Sequence, residues 1–350
     1  MVFFMGAMFT MNATVWRVNS NPNADADFSD IYWVSFSPQV LDGDTIHIEQ
    51  ENVVTISTFN LNKRLTILGA GYSADTVGSS LPLTSAKISA IWNINLNQGG
   101  EGSIFKGIVF YNDSALMFNS ISDTANLLFE RCFFLGTTVE SINGSSLASE
   151  VSFKQCYFFK DFTVGSHLIH NWTVKNCILR SGLEFNPSSG STNLLLRNNT
   201  IFKAADVDYA HFDNNIILEF GSGSTNNSTF NNTTVANNVF CGLVAPSGVN
   251  VGSLSTNGNN LVNQSVTQVI VFTSGTYETS FELVQNSPAI NGGVSLNGYK
   301  PDCGAYGGNN PYINAGIPNI PTIYDINFPN GNSGTSSSGI LVDFKSRSNN

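Results

Sequence analysis

The feature that most limits what this chain can fold into is a phrase repeated at nearly constant spacing. Eight segments can be laid over one another: "FKGIVF" (105–110), "FERCFF" (129–134), "FKQCYF" (153–158), "VKNCIL" (174–179), "LRNNTI" (196–201), "FDNNII" (212–217), "VANNVF" (235–240) and "NGNNLV" (257–262). Their fourth positions are Ile108, Cys132, Cys156, Cys177, Asn199, Asn215, Asn238 and Asn260, at steps of 24, 24, 21, 22, 16, 23 and 22 residues. Self-similarity at such a period marks stacked supersecondary units, each unable to bury its apolar face alone. The units hold short β-rich pieces and no helical pattern. A coil advancing one strand spacing per turn, a single-stranded parallel β-helix, satisfies both conditions.

Within each phrase the pattern is apolar, x, x, Cys/Asn, x, apolar. Side chains alternate faces along a strand, so Phe129, Cys132 and Phe134 are expected inward, with Glu130 and Phe133 outward. The fourth positions then form an interior column. Stacked Asn amides satisfy one another in such a column, and Cys fills the same slot as a small buried hydrophobe. Cysteines on neighbouring rungs would hold their Cβ atoms about 4.8 Å apart with parallel vectors, whereas a disulfide needs about 3.8 Å. A zinc site needs four converging ligands, which a linear stack does not offer. The cysteines therefore read as structural.

Composition fits this picture. The 45 Asn and 31 Gly of the 350 residues suit a fold rich in turns, since both residues tolerate positive φ and Asn bonds its own backbone in turns. A hydrophobic share of 41% with 26 Phe excludes a disordered chain. Fifteen basic residues face 25 acidic ones, for a net charge of −10. No run of Lys or Arg appears along the chain, so nucleic acid and anionic lipid are not expected partners.

Further motifs carry a resemblance. "TVWRVNSNPNADADFSD" (14–30), "GDTIHIE" (43–49) and "KRLTILGAGY" (63–72) resemble the opening of secreted right-handed β-helix proteins of the pectate-lyase-like superfamily. They are most similar to the choice-of-anchor, or right-handed-β-helix-repeat, surface proteins of Bacteroidota. "NSPAINGG" (286–293) and "PDCGAYGG" (301–308) are similar to that group's closing coil. The resemblance spans nearly all of residues 14–313 and implies a right-handed helix. It implies no particular activity, because such proteins are mostly of unassigned function, some adhesive or polysaccharide-degrading.

The expected organisation follows. Residues 1–13 read as the apolar core and exit of a secretory signal, although no Lys or Arg stands near Met1 as such signals usually require. Residues 14–42 form an N-terminal cap whose helix is short or absent, given the aromatics and Pro38. Residues 43–313 form the β-helix at about 22 residues per coil, with the Ser/Asn/Gly-rich stretches 73–85, 136–149, 186–192 and 221–234 as outward loops. Residues 314–350 comprise the end of a Pro-containing linker (309–321) and a C-terminal β-hairpin built from 322–328 and 339–347. No other apolar run approaches membrane-spanning length.

Candidate chemistry is sparse. Asp206, Asp208, His211 and Asp213 crowd the shortest coil, where paired carboxylates could hold Ca²⁺ or work as acid and base on a glycan, with Arg180 or Lys203 nearby. Asp and Asn also populate turns for purely structural reasons. His167 and His170 at i and i+3 point to opposite faces of a strand, and no His, His47 and His211 included, follows a Gly as in pectin hydrolases of this fold. "GAGY" (69–72) has no phosphate-loop spacing. No catalytic, metal or cofactor residue is therefore assigned. One further pattern stands out. The position after the Cys/Asn column (Val109, Phe133, Tyr157, Ile178, Thr200, Ile216, Val239, Leu261) and the one two residues on (Tyr111, Leu135, Phe159, Arg180, Phe202, Leu218, Cys241, Asn263) form an apolar, aromatic stripe expected outward. Large exposed apolar patches are rare, so it should be covered by the chain's own loops or by a partner, a polysaccharide or another surface protein. A bend displaced by one residue would turn it inward, and the exposure of Phe133, Tyr157, Phe159 and Phe202 decides. Three functional readings result: an exported structural, adhesive or glycan-binding surface protein without catalytic activity; a polysaccharide lyase or glycoside hydrolase acting on an acidic polysaccharide; and a self-assembling filament subunit.

Overall fold

The computed structural model describes residues 13–49, 53–72, 86–110, 115–118, 125–134, 139–140, 149–203, 205–218, 229–242, 250–251, 256–272, 278–294, 298–319, 322–327 and 343–347. It is all-β and built almost wholly of parallel strands stacked as a solenoid. The first sheet runs through Val15–Val18, Thr45–Ile48, Thr66–Leu68, Ile104–Lys106, Leu127–Glu130, Val151–Lys154, Thr173–Lys175, Leu194–Arg197, Ala210–Asp213, Thr234–Ala236 and Thr256–Gly258. The second carries Ile108–Phe110, Phe133–Phe134, Tyr157–Phe158, Ile178–Leu179, Thr200–Ile201, Ile216–Ile217, Val239–Cys241 and Leu261–Gln264. The third carries Phe162–Val164, Leu183–Phe185, Ala205–Asp208, Thr229–Asn231 and Asn250–Val251. Toward the N-terminal end one long strand, Ala86–Leu96, pairs with Val53–Leu61, with Ile108–Phe110 through its first residues and with Ala115–Phe118 through its last, so one strand there serves three pairings. The end of the 221–234 stretch, expected as loop, is strand instead: Phe230 enters the core and Thr229–Asn231 pairs with Asp206–Asp208.

The repeated phrases sit where first sheet turns into second. The turn has two residues. The first takes positive φ: Arg131, Gln155, Asn176, Asn198, Asn214, Asn237 and Asn259 lie between 51° and 57°. This left-handed conformation suits Asn more than other residues with a side chain. The second is the inward column. Cys132, Cys156, Cys177, Asn199, Asn215 and Asn238 are all buried and follow one bonding rule. Each reaches back to a carbonyl of the preceding rung: Cys156 Sγ to Phe129 (3.4 Å), Asn199 Nδ2 to Val174 (2.9 Å), Asn215 Nδ2 to Leu196 (3.0 Å). Each also accepts from the backbone N–H of the preceding column member, as Cys177 Sγ does from Cys156 (3.4 Å) and Asn215 Oδ1 from Asn199 (2.8 Å). Thiol and amide are thus interchangeable here because both can donate and accept. All five cysteines are free and buried.

The interior is a set of aromatic ladders. Phe105, Phe129 and Phe153 stack at 4.9 Å between centroids, and Phe110, Phe134 and Phe158 at 4.8 and 4.7 Å. The ring spacing equals the strand spacing, so each of these three rungs buries one ring per column in stacked contact. At the N-terminal end a six-residue helix, Ile31–Phe36, is capped by the Asp30 side chain and buries Ile31 and Val34. Thr322–Asn327 and Asp343–Arg347 pair antiparallel.

Two expectations need correction. Residues 286–308 do not close the coil, and 309–319 are no linker. The last stacked strand of the second sheet ends at Gln264, and the described residues between Val266 and Pro318 lie along the outside of that sheet. Its Ala289, Cys303, Ala305 and Ala315 are fully buried. The apolar stripe does face outward, and this strap is what covers it. Tyr157, Ile178, Ile216 and Val239 pack with Ile270, Phe281, Cys303 and Tyr312 in a second core, with Phe133, Phe159 and Phe202 half-buried beside it.

The strap is held by the left-handed turn residues, whose side chains point out of the solenoid. Arg131 Nη1 donates to the Ile317 carbonyl (2.6 Å) and Asn176 Nδ2 to Ala305 (2.9 Å) and Gly307 (2.6 Å). Gln155 Nε2 donates to Pro311 (2.5 Å), Asn198 Nδ2 to Asp302 (2.9 Å), and Asn214 Oδ1 accepts from Val294 N–H (2.9 Å). The bonds go to backbone, so the strap must lie close. A Cβ on Gly304 would fall 2.5 Å from Ile216 Cδ1.

Candidate functional site: the outer face of the first sheet

The acidic segment singled out in the sequence does not converge. Asp206 and Asp208 lie on the third sheet, facing out between buried Ala205 and Val207. Tyr209, at φ 56°, turns the chain, so His211 and Asp213 stand on the first sheet. Asp206 Oδ1 accepts from the Thr229 hydroxyl (2.6 Å) and N–H (3.1 Å). Asp213 forms a two-pronged ion pair with Arg197, at 2.5 and 2.6 Å. Arg180 lies over the Phe159 ring, 5.3 Å from its centroid. His170 Nδ1 bonds the Thr192 hydroxyl across one rung (2.8 Å). Gly69 and Gly71 bond to neighbouring backbone, and Tyr72 is buried under the strap. Among the described residues, no group of three His, Cys, Asp or Glu could hold a metal ion.

What the sequence reading missed is a column two positions before the Cys/Asn column. Lys106, Glu130, Lys154, Lys175, Arg197 and Asp213 are register partners on successive rungs of the first sheet. They are the second letters of the repeated phrases, so the signal was present. Bases 21–24 residues apart along the chain become neighbours at about 4.8 Å once the coil forms, and a search for linear runs cannot find them. The upper and lower members are neutralised within the column. Lys106 pairs with Glu130 at 2.7 Å and Arg197 with Asp213. Lys154 and Lys175 lie between them with no carboxylate in ion-pair range among the described residues. Burial, and then the charges of Arg197 and Lys154, hold the Lys175 ammonium below its ordinary pKa.

Beside this ladder an open groove of about 430 Å³ is lined by Asn171, Thr173, Asn193, Leu195, Arg197 and His211. Its rim is a second left-handed column, Asn171 and Asn193 at φ 57°, with Asn193 Nδ2 donating to Asn171 Oδ1 at 2.9 Å. Amide, hydroxyl and imidazole groups thus face solvent along one side of the bases.

The fold and this face define a parallel β-solenoid with one strapped sheet and one open, basic-centred sheet. No protein-family model matches the chain, and no curated protein matches it. Among the described residues, no helix is long and apolar enough to cross a membrane.

Proposed function

We propose that the protein is an exported, cell-surface or extracellular β-helix of the pectate-lyase-like kind its opening and closing motifs resemble, that it contacts glycans, and that it transforms none. The observation that supports this is the separation of its reactive side chains. The carboxylates and imidazole of residues 206–213 are divided between two faces, and Asp206 and Asp213 are already engaged in bonds to Thr229 and Arg197. Acid/base cleavage of a glycosidic link needs two carboxyl groups facing one bond. The first sheet offers instead flat columns of polar groups at a fixed repeat, which suits holding a polymer. The second sheet, an attractive contact surface in the sequence, is unavailable because the strap lies on it. A glycan-array screen of the purified chain, run beside an assay for released unsaturated or reducing sugars, tests the reading. Binding without release supports it, and release sinks the non-catalytic half.

One feature favours the polysaccharide-cleaving reading. Glu184 and Asp206 are register partners on the outer face of the third sheet, and Asp208 next to them has a buried Oδ1 without a hydrogen-bond partner. If cleavage is observed, Asp206→Asn and Asp208→Asn should abolish it.

A further inference from the structure

We propose that the Lys154–Lys175–Arg197 ladder is the contact site for a linear, acidic glycan laid along the solenoid axis. The inference rests on the glycan-contact reading and adds the chemistry of the ligand. Three cationic side chains occupy consecutive rungs in register, Lys154 against Lys175 and Lys175 against Arg197. Like charges at one strand spacing repel. Glu130 flanks Lys154 and Asp213 attracts Lys175 from beyond Arg197, but each carboxylate is already ion-paired, with Lys106 and Arg197. Four bases against two acids leave the column a positive surplus centred on Lys154 and Lys175, which an anion can neutralise. The chain as a whole carries a net charge of −10, so a row of three bases on successive rungs departs from its overall charge.

The geometry selects a polymer over a compact ion. The bases form a line along the axis, one per rung, rather than converging on one point. A chain whose negative charges recur along its length meets one base per rung. The groove beside the ladder supplies what the uncharged parts of a sugar need. Asn171, Asn193, Thr173 and His211 offer donors and acceptors for hydroxyls, and Leu195 offers an apolar contact for a ring face. A nucleic acid would present charge as well, but among the described residues no Phe, Tyr or Trp lines the groove to stack its bases.

The test uses the whole chain with polygalacturonate, dextran sulfate, neutral dextran and a single-stranded oligonucleotide. Binding is expected to polygalacturonate or dextran sulfate, and which of the two separates carboxylate from sulfate recognition. It should weaken steeply between about 50 and 300 mM salt, because the contacts are exposed charges. The double variant Lys154→Gln/Lys175→Gln should lose about tenfold in affinity, the sum of two exposed ion pairs. Arg64→Gln, at an exposed position before the Thr66–Leu68 strand and three rungs from Lys154, should bind as the parent does. Independently of any variant's folding, bound polymer should protect Lys154 and Lys175 from acetylation. Undiminished binding by the double variant, or preference for neutral dextran, overturns this inference and leaves glycan contact standing. Preference for the oligonucleotide overturns it as well. Binding to no glycan at all removes both readings.

Discussion

The Cys/Asn column shows how one slot can take two chemistries. Its members must lie at a bend, inside, and bond both to the rung before and to the rung after. Asn215 does this fully: it accepts from the N–H and side chain of Asn199 and donates to Leu196 and to Asn238. Asn215→Ala leaves those groups buried without partners, and we expect a loss of about 2–4 kcal/mol, read as a drop in urea midpoint. Cys156→Ala removes only weak thiol bonds and a small volume, and should cost about 1 kcal/mol. An equal loss at both positions would mean that the amide bonds are not what holds the bend. The column itself was legible, because inward residues repeat on one face and three cysteines mark it. The residue before it was not. Its left-handed backbone is suggested by Asn at 176, 198, 214, 237 and 259, but Arg131 and Gln155 take the same conformation with no such hint.

That overlooked residue governs the next scale. Arg131, Gln155, Asn176, Asn198 and Asn214 form a row of polar hands gripping a strap whose described residues add no strand to the stacked sheets. The strap in turn hides Tyr157, Ile178, Ile216 and Val239, which would otherwise make a large apolar face. Asn176 makes two of these bonds. Asn176→Ala is expected to cost about 1–3 kcal/mol and to speed hydrogen exchange at Ala305 and Tyr312 N–H while leaving the first-sheet amides protected. Uniform acceleration in strap and sheets would show that the two do not separate. Gly316→Ala attacks the far end, since its Cβ would sit 2.1 Å from Tyr72 Cε1 at a φ of 52°. It should loosen residues 312–318 against the early coils, seen as new proteolytic cleavage there. The sequence revealed the stripe through its periodicity. It concealed the cover, because the glycines and prolines that let residues 286–318 lie flat against a sheet also read as a closing coil and a linker.

Across the whole molecule the strap changes how stability should be distributed. A solenoid alone is a sum of nearest-neighbour contacts and can fray from either end. Here residues 301–318 run from the later rungs, where Cys303 Sγ bonds the Asn237 carbonyl, to the earlier ones, where the Ile317 carbonyl accepts from Arg131, and one buried cluster fastens their early end. Glu278 accepts from Ala315 N–H (2.7 Å) and from the Tyr312 hydroxyl (3.0 Å), and the Tyr312 hydroxyl also bonds that of Tyr72. Nothing in the sequence points to a contact between positions 72, 278 and 312, since no period relates them. Among the described residues no cation pairs with the Glu278 carboxyl, and burial raises its pKa from 4.5 to about 7. The sign follows from the unfolded chain holding its proton less tightly. The protonated clasp contributes fully below about pH 4.5, and its contribution is lost as pH rises through about 7. The effect is at most about 3 kcal/mol between those limits. Urea titrations at pH 5 and pH 8 should therefore show a lower midpoint at the higher pH, and Glu278→Gln should flatten most of that difference. The same slope in the variant would place the pH dependence elsewhere in the acidic chain. A single cooperative transition at pH 5 that broadens at pH 8 would show that the clasp couples early and late rungs.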